Sequence, residues 1–148
     1  MNFRITRNLG YLYLLVVKLK FTVLENLRVG VLGSGSWATA IVKMLSENID
    51  CVNWWVRNEK SAEHILKFGH NPKYLTSVNY NTSKLNVLTN IDDVISNSDI
   101  IILAIPSAFV VKAFDEYPIN LKGKKLVTAV KGIIPEQNRI PVRFFHKE

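Results

Sequence analysis

The segment RVGVLGSGSWATAIVKML, Arg28 to Leu45, changes its hydrophobic rhythm at Gly33-Ser34-Gly35. Ahead of the glycines, LRVGVLG is a short, continuously apolar run, the pattern of a strand buried on both faces. Behind them, Ala38, Ile41, Val42 and Leu45 recur at i, i+3, i+4 and i+7, one face of a helix. A strand, a tight glycine turn and a helix in that order form an anion-binding unit. Gly33 permits the sharp exit from the strand. The bare Cα of Gly35 lets a pyrophosphate approach the main chain, and Ala38 keeps helix and strand close. The free amides of Ser36, Trp37 and the residues beyond, with the positive end of the helix dipole, then face the phosphates. Dipole attraction alone contributes about 0.3–1 kcal/mol, so binding needs several hydrogen bonds together. The G-x-G-x-x-A match gains weight from its context between strand and helix, which favours dinucleotide binding over a plain turn.

The rest of the chain repeats the alternation. Strands are predicted at Asp50–Arg57, Leu85–Thr89, Asp99–Pro106 and Lys124–Gly132, with helices at Ile91–Ser98 and Ala108–Glu116. Residues 60–81 read as a helix followed by a loop. Apolar strands alternating with helices predict an α/β fold: a Rossmann-like, doubly wound, mostly parallel sheet with helices on both faces.

In such a sheet, ligands gather beyond the carboxyl ends of the strands. The unusual residues fall there: Gly33 to Trp37 after the first strand, Arg57 after the second, Pro106-Ser107 and Lys131-Gly132 after the later two. Folds that prefer NAD usually carry an acidic residue about 20 residues past the glycines, to hold the ribose 2′-hydroxyl. Here Arg57 stands 22 residues after Gly35. Its guanidinium suits a 2′-phosphate or a stack on adenine, although a solvated strand-end arginine has the same sequence appearance. The cofactor expected is therefore NADP or NAD. The Lys131 ammonium suits a substrate phosphate or carbonyl oxygen, but single lysines at strand ends are common.

Composition bounds the alternatives. A chain of 148 residues suits one domain, and 48% hydrophobic with 21% charged residues describes a globular protein. The net charge of +7 is dispersed, with no basic run interleaved with aromatics. That pattern argues against nucleic acid and suits a small phosphorylated ligand. One cysteine, Cys51, precludes a disulfide framework and fits a reducing, cytoplasmic compartment; its place in an apolar run predicts burial. Residues 1–26 read as an amino-terminal extension. Its apolar stretch from Leu9 to Val17 is too short to span a bilayer, and no cleavage pattern follows. No metal-ligating pattern stands out: His64, His70 and His146 are scattered. The pairs Asp92-Asp93 and Asp115-Glu116 read as solvated helix faces.

Five motifs in order carry a family resemblance: GSGSWATA (Gly33–Ala40), WVRN (Trp55–Asn58), HNPKYL (His70–Leu75), SDIIILAIPS (Ser98–Ser107) and AVKGI (Ala129–Ile133). From about Leu27 onward the chain resembles the amino-terminal half of bacterial-type NAD(P)-dependent glycerol-3-phosphate dehydrogenase. The resemblance implies a cofactor domain over residues 27–148. It also implies hydride transfer between NAD(P)H and dihydroxyacetone phosphate or sn-glycerol 3-phosphate, which supports phospholipid synthesis. By it, Ser36 and Trp37 contact the cofactor phosphates, Arg57 lies near the adenosine end, and Phe109 is an aromatic beside the cofactor. Lys131 then touches both substrate and cofactor. Without the resemblance, Phe109 reads as a core helix residue.

Family members continue with a helical domain that supplies the acid/base lysine, and the full-length family includes homodimers. No catalytic residue is therefore assigned within these 148 residues, and the chain is expected to bind cofactor with little turnover. Two alternatives stand beside this reading. One is a stand-alone dinucleotide-binding or sensing module; the other is the cofactor domain of a hydroxyacid or ketopantoate-type reductase.

Overall fold

A computed structural model describes residues 27–117 and 120–145. The expected extension over residues 1–26 lies outside the described residues. Five parallel strands form one sheet: β1 (Val29–Leu32), β2 (Val52–Trp55), β3 (Leu85–Leu88), β4 (Ile100–Leu103) and β5 (Lys125–Thr128). Their order is β3-β2-β1-β4-β5. β1 is central: Val29 pairs with Val52 on one side and Ile100 on the other. The strand order reverses between β1 and β4, which makes the carboxyl end of β1 the switch point where such sheets bind ligands.

Pleating divides the inner strands between two cores. Val31 and Trp54 face one cluster, packed against Ala38, Ile41 and Val42 of α1 (Ser36–Ser46) and Ile65 of α2 (Glu59–Phe68). Leu32 and Trp55 face the other, against α3 (Ile91–Ser96) and α4 (Val110–Glu116). Both faces are therefore covered, and β1 and β2 are buried throughout, as continuous apolar runs require. A last helix, α5 (Pro141–Phe145), follows a short turn at Pro135–Gln137.

Two expectations and one alternative reading need correction. Cys51 is exposed, because it precedes β2 and burial begins one residue later at Val52. The last strand ends at Thr128 rather than Gly132 and is not buried; among the described residues it pairs only with β4, so Val127 is 48% exposed. Phe109 is not in the core: it ends a single 3₁₀ turn, Ser107–Phe109, ahead of α4 and is 58% exposed.

Candidate functional site

Gly33 leaves β1 with φ +129°, a conformation only glycine adopts easily, and a Cβ there would lie 2.5 Å from the Ala104 carbonyl oxygen. The turn thus packs directly on the end of β4. Gly35 differs: a Cβ built on it meets no protein atom within 4 Å. Nothing in the protein demands glycine there, and the open space above its Cα fits the approach of a phosphate. Gly35 is the N-cap of α1, and no side chain caps the helix. Thr39 N–H donates to the Gly35 carbonyl, closing the first helical turn. The amides of Ser36, Trp37 and Ala38 precede that bond and have no intrahelical acceptor.

Two side chains from outside the turn hold its carbonyls. The indole N–H of buried Trp54 donates to the Gly33 carbonyl at 2.7 Å. The Asn71 amide, 3% exposed, donates to the Ser34 carbonyl at 3.1 Å and to Thr39 Oγ1 at 3.0 Å. With the carbonyls engaged by the protein, the N–H groups are left for a ligand. Asn71 Oδ1 in turn accepts from the amides of Lys73 and Tyr74. Tyr80 donates its phenol to the Thr39 carbonyl at 2.9 Å and packs on Trp54. Burial pushes its ionisation well above the usual phenol value, so it remains a neutral donor.

A trough crosses the carboxyl edge of the sheet in two lobes that share Gly35, Ile105 and Pro106. The first lobe, about 230 Å³, is bounded by Gly33, Ser34, Arg57, Tyr74 and Phe109. The second, about 560 Å³, is bounded by Ser36, Trp37, Leu75, Ser107 and Lys131. All eight residues singled out in the sequence therefore border one trough. Arg57 borders the first lobe, and Lys131 borders the second with its Nζ 5.9 Å from the centre of the half-exposed Trp37 ring. A cation in each lobe, with the N-terminus of α1 at the shared Gly35, suits an elongated ligand carrying phosphates.

Tyr74, Leu75 and Lys112 also border the trough and were not anticipated as site residues. Asn71 was likewise missed as the support of the turn. The HNPKYL motif was visible, but the contacts reach Asn71 from 37 residues away in the chain.

The family model described as NAD-dependent glycerol-3-phosphate dehydrogenase N-terminus matches residues 28–146. Glycerol-3-phosphate dehydrogenase [NAD(P)+] of Pseudomonas paraeruginosa is 33% identical over 109 residues, covering 74% of this chain and 32% of the relative. The enzyme of the same name from Pseudomonas syringae is 35% identical, covering 71% and 30%. The solved glycerol-3-phosphate dehydrogenase of Saccharomyces cerevisiae superposes with a TM-score of 0.62 at 27% identity, covering 72% of this chain and 34% of that one. The chain spans about a third of the length of these curated relatives. Fold, trough and sequence likeness converge: the chain belongs to the NAD-dependent glycerol-3-phosphate dehydrogenase family, as its amino-terminal, NAD-binding part.

Proposed function

We propose that this chain is the cofactor-binding part of an oxidoreductase that moves a hydride between NAD(P)H and the dihydroxyacetone phosphate/sn-glycerol 3-phosphate pair. The single observation that carries the reading is the open Cα of Gly35 at the N-terminus of α1, shared by both lobes of the trough. The nicotinamide cofactor supplies the hydride when bound. The amides of Ser36 and Trp37, with Gly33, Ser34 and Gly35 presenting bare or small surfaces, bind the pyrophosphate. The Arg57 guanidinium receives the 2′-phosphate of NADP or stacks on adenine, so NADP(H) is accepted as well as NAD(H). Phe109 and Tyr74 wall the adenosine lobe. Lys131, steadied over the Trp37 ring, meets a phosphorylated substrate in the second lobe.

Residues 27–148 act together as one NAD(P)-binding domain in this reading. No side chain within it is assigned the proton transfer that must accompany reduction of a carbonyl. The 148-residue chain alone is therefore expected to bind cofactor and to turn over little. A cytoplasmic setting agrees with a sequence holding one cysteine. Among the described residues no helix is long and apolar enough to cross a membrane.

The test is a titration of the intrinsic tryptophan fluorescence with NADPH and NADH. Trp37 borders the trough and Trp54 lies under the turn, so both report occupancy. Both cofactors are expected to quench, and Arg57→Gln is expected to weaken NADPH more than NADH. No response to either cofactor overturns the dinucleotide reading. Robust oxidation of NADPH with dihydroxyacetone phosphate overturns the assignment of proton transfer elsewhere.

A further inference from the structure

The histidines are scattered in sequence, but the fold brings two of them face to face on the side of α2. His64 lies in the helix. Gly69, in the left-handed conformation with φ +73°, ends the helix and turns the chain back. His70 is thereby returned onto His64, with the two Nε2 atoms 3.1 Å apart and the rings crossed at 84°. His70 Nδ1 lies 3.1 Å from the Phe68 carbonyl oxygen. A carbonyl only accepts, so Nδ1 carries the proton and Nε2 presents a lone pair. The Phe68 ring packs on His64 with centroids 4.6 Å apart, giving the pair an apolar wall. Both histidines are partly buried, which limits the rotamers that must be frozen when a ligand arrives.

We propose that His64 and His70 form a two-imidazole site for a divalent transition-metal ion of the zinc, nickel or copper class. Without an ion, the short contact is an N–H···N hydrogen bond from His64 to His70. With neutral His64 carrying its proton on Nδ1, both Nε2 atoms present a lone pair, 3.1 Å apart. Bonds of about 2.0–2.1 Å from each nitrogen to a shared ion set the nitrogens about 2.8–3.4 Å apart, for angles between square and tetrahedral. The observed separation lies inside that span, so the two nitrogens already stand at the spacing a shared ion requires. The Phe68 carbonyl plays the outer role usual for a ligating imidazole, fixing tautomer and ring orientation.

Two imidazoles select borderline ions over magnesium or calcium, which prefer oxygen. Among the described residues no third histidine, cysteine or carboxylate joins them, so water completes the coordination. Lys67, whose Nζ lies 5.1 Å from the Phe68 ring centre, adds a nearby positive charge that lowers affinity. A bound ion clamps the end of α2 to the His70–Leu75 loop, which carries Asn71 to the glycine turn and Tyr74 to the trough. The site itself is separate from the trough, so its test does not depend on cofactor binding.

Calorimetric titration of the full chain with Zn2+ tests the proposal, joined by 15N spectra of the imidazole rings. One zinc ion per chain is expected, with the Nε2 resonances of His64 and His70 both shifting. His64→Gln and His70→Gln each abolish the binding. His146→Gln and Cys51→Ser, which remove the other histidine and the lone thiol, retain it, and excess Mg2+ does not compete. If the wild-type chain binds no zinc, or its Nε2 resonances stay unmoved while zinc binds, the proposal fails. Unchanged binding in the His64 and His70 variants has the same consequence.

Discussion

The Asn71 side-chain amide donates to the Ser34 carbonyl at 3.1 Å, tying the loop after α2 to the glycine turn after β1. The same amide reaches Thr39 Oγ1 inside α1, so one buried group braces both sides of the turn. Replacing it with alanine leaves buried polar partners unsatisfied, at a cost of about 1–3 kcal/mol. Asn71→Ala is expected to lower the urea midpoint and also weaken NADPH binding. Equilibrium unfolding and fluorescence titration of the same variant measure the two effects. An unchanged cofactor affinity would show that the turn keeps its form without the brace.

Gly33 and Gly35 make a discriminating pair. At Gly33 a methyl group meets the Ala104 carbonyl at 2.5 Å in a backbone conformation that L-residues avoid. Gly33→Ala is expected to destabilise the fold by about 2 kcal/mol or more. At Gly35 the same methyl meets nothing in the protein. Gly35→Ala is expected to leave the melting temperature nearly unchanged and to cut NAD(P)H affinity sharply. Thermal melts with and without cofactor separate the two outcomes.

Trp54 combines packing with a hydrogen bond. It is fully buried, packs at a tilt against Tyr80 and donates to the Gly33 carbonyl at 2.7 Å. Trp54→Ala is expected to cost about 3–5 kcal/mol through cavity formation. Trp54→Phe keeps most of the apolar volume and loses the donor, so about 1–3 kcal/mol is expected. Denaturant titrations of both variants test the split.

A pH effect is expected at the start of β4. Arg28 donates two side-chain hydrogen bonds to Asp99, at 2.8 and 3.1 Å, and holds its carboxyl below the usual carboxylate range. The folded value lies below the unfolded one. The contribution is therefore present above the ordinary carboxylate pKa, about 3.9, and is lost as pH falls through the folded value. Both side chains are well exposed, so the effect is small and screened by salt. Urea midpoints of the wild type and Asp99→Asn should differ at neutral pH in low salt and converge in acid.

The clearest parts of the fold were local in origin. Apolar β1, the glycines behind it and the helical spacing of Ala38, Ile41 and Val42 all report backbone geometry within a few residues, so periodicity reveals them. Arg57, two residues past the end of β2, was legible in the same way, whereas Lys131 lies three residues past the end of β5 rather than within the predicted strand. Exposure along β5 escaped the sequence because it depends on which strand has neighbours, a property of the sheet as a whole, and Cys51 is exposed because β2 begins one residue later, at Val52.

The amino-acid sequence by itself determined the alternation of strands and helices, and with it a glycine turn at the head of a helix. Only the tertiary structure decided what supports that turn and what faces what. Trp54 and Asn71 reach it from β2 and from a distant loop, and His70 folds back onto His64. Such meetings are set by strand order, by the left-handed turn at Gly69 and by packing between layers, none of which a local run of residues encodes.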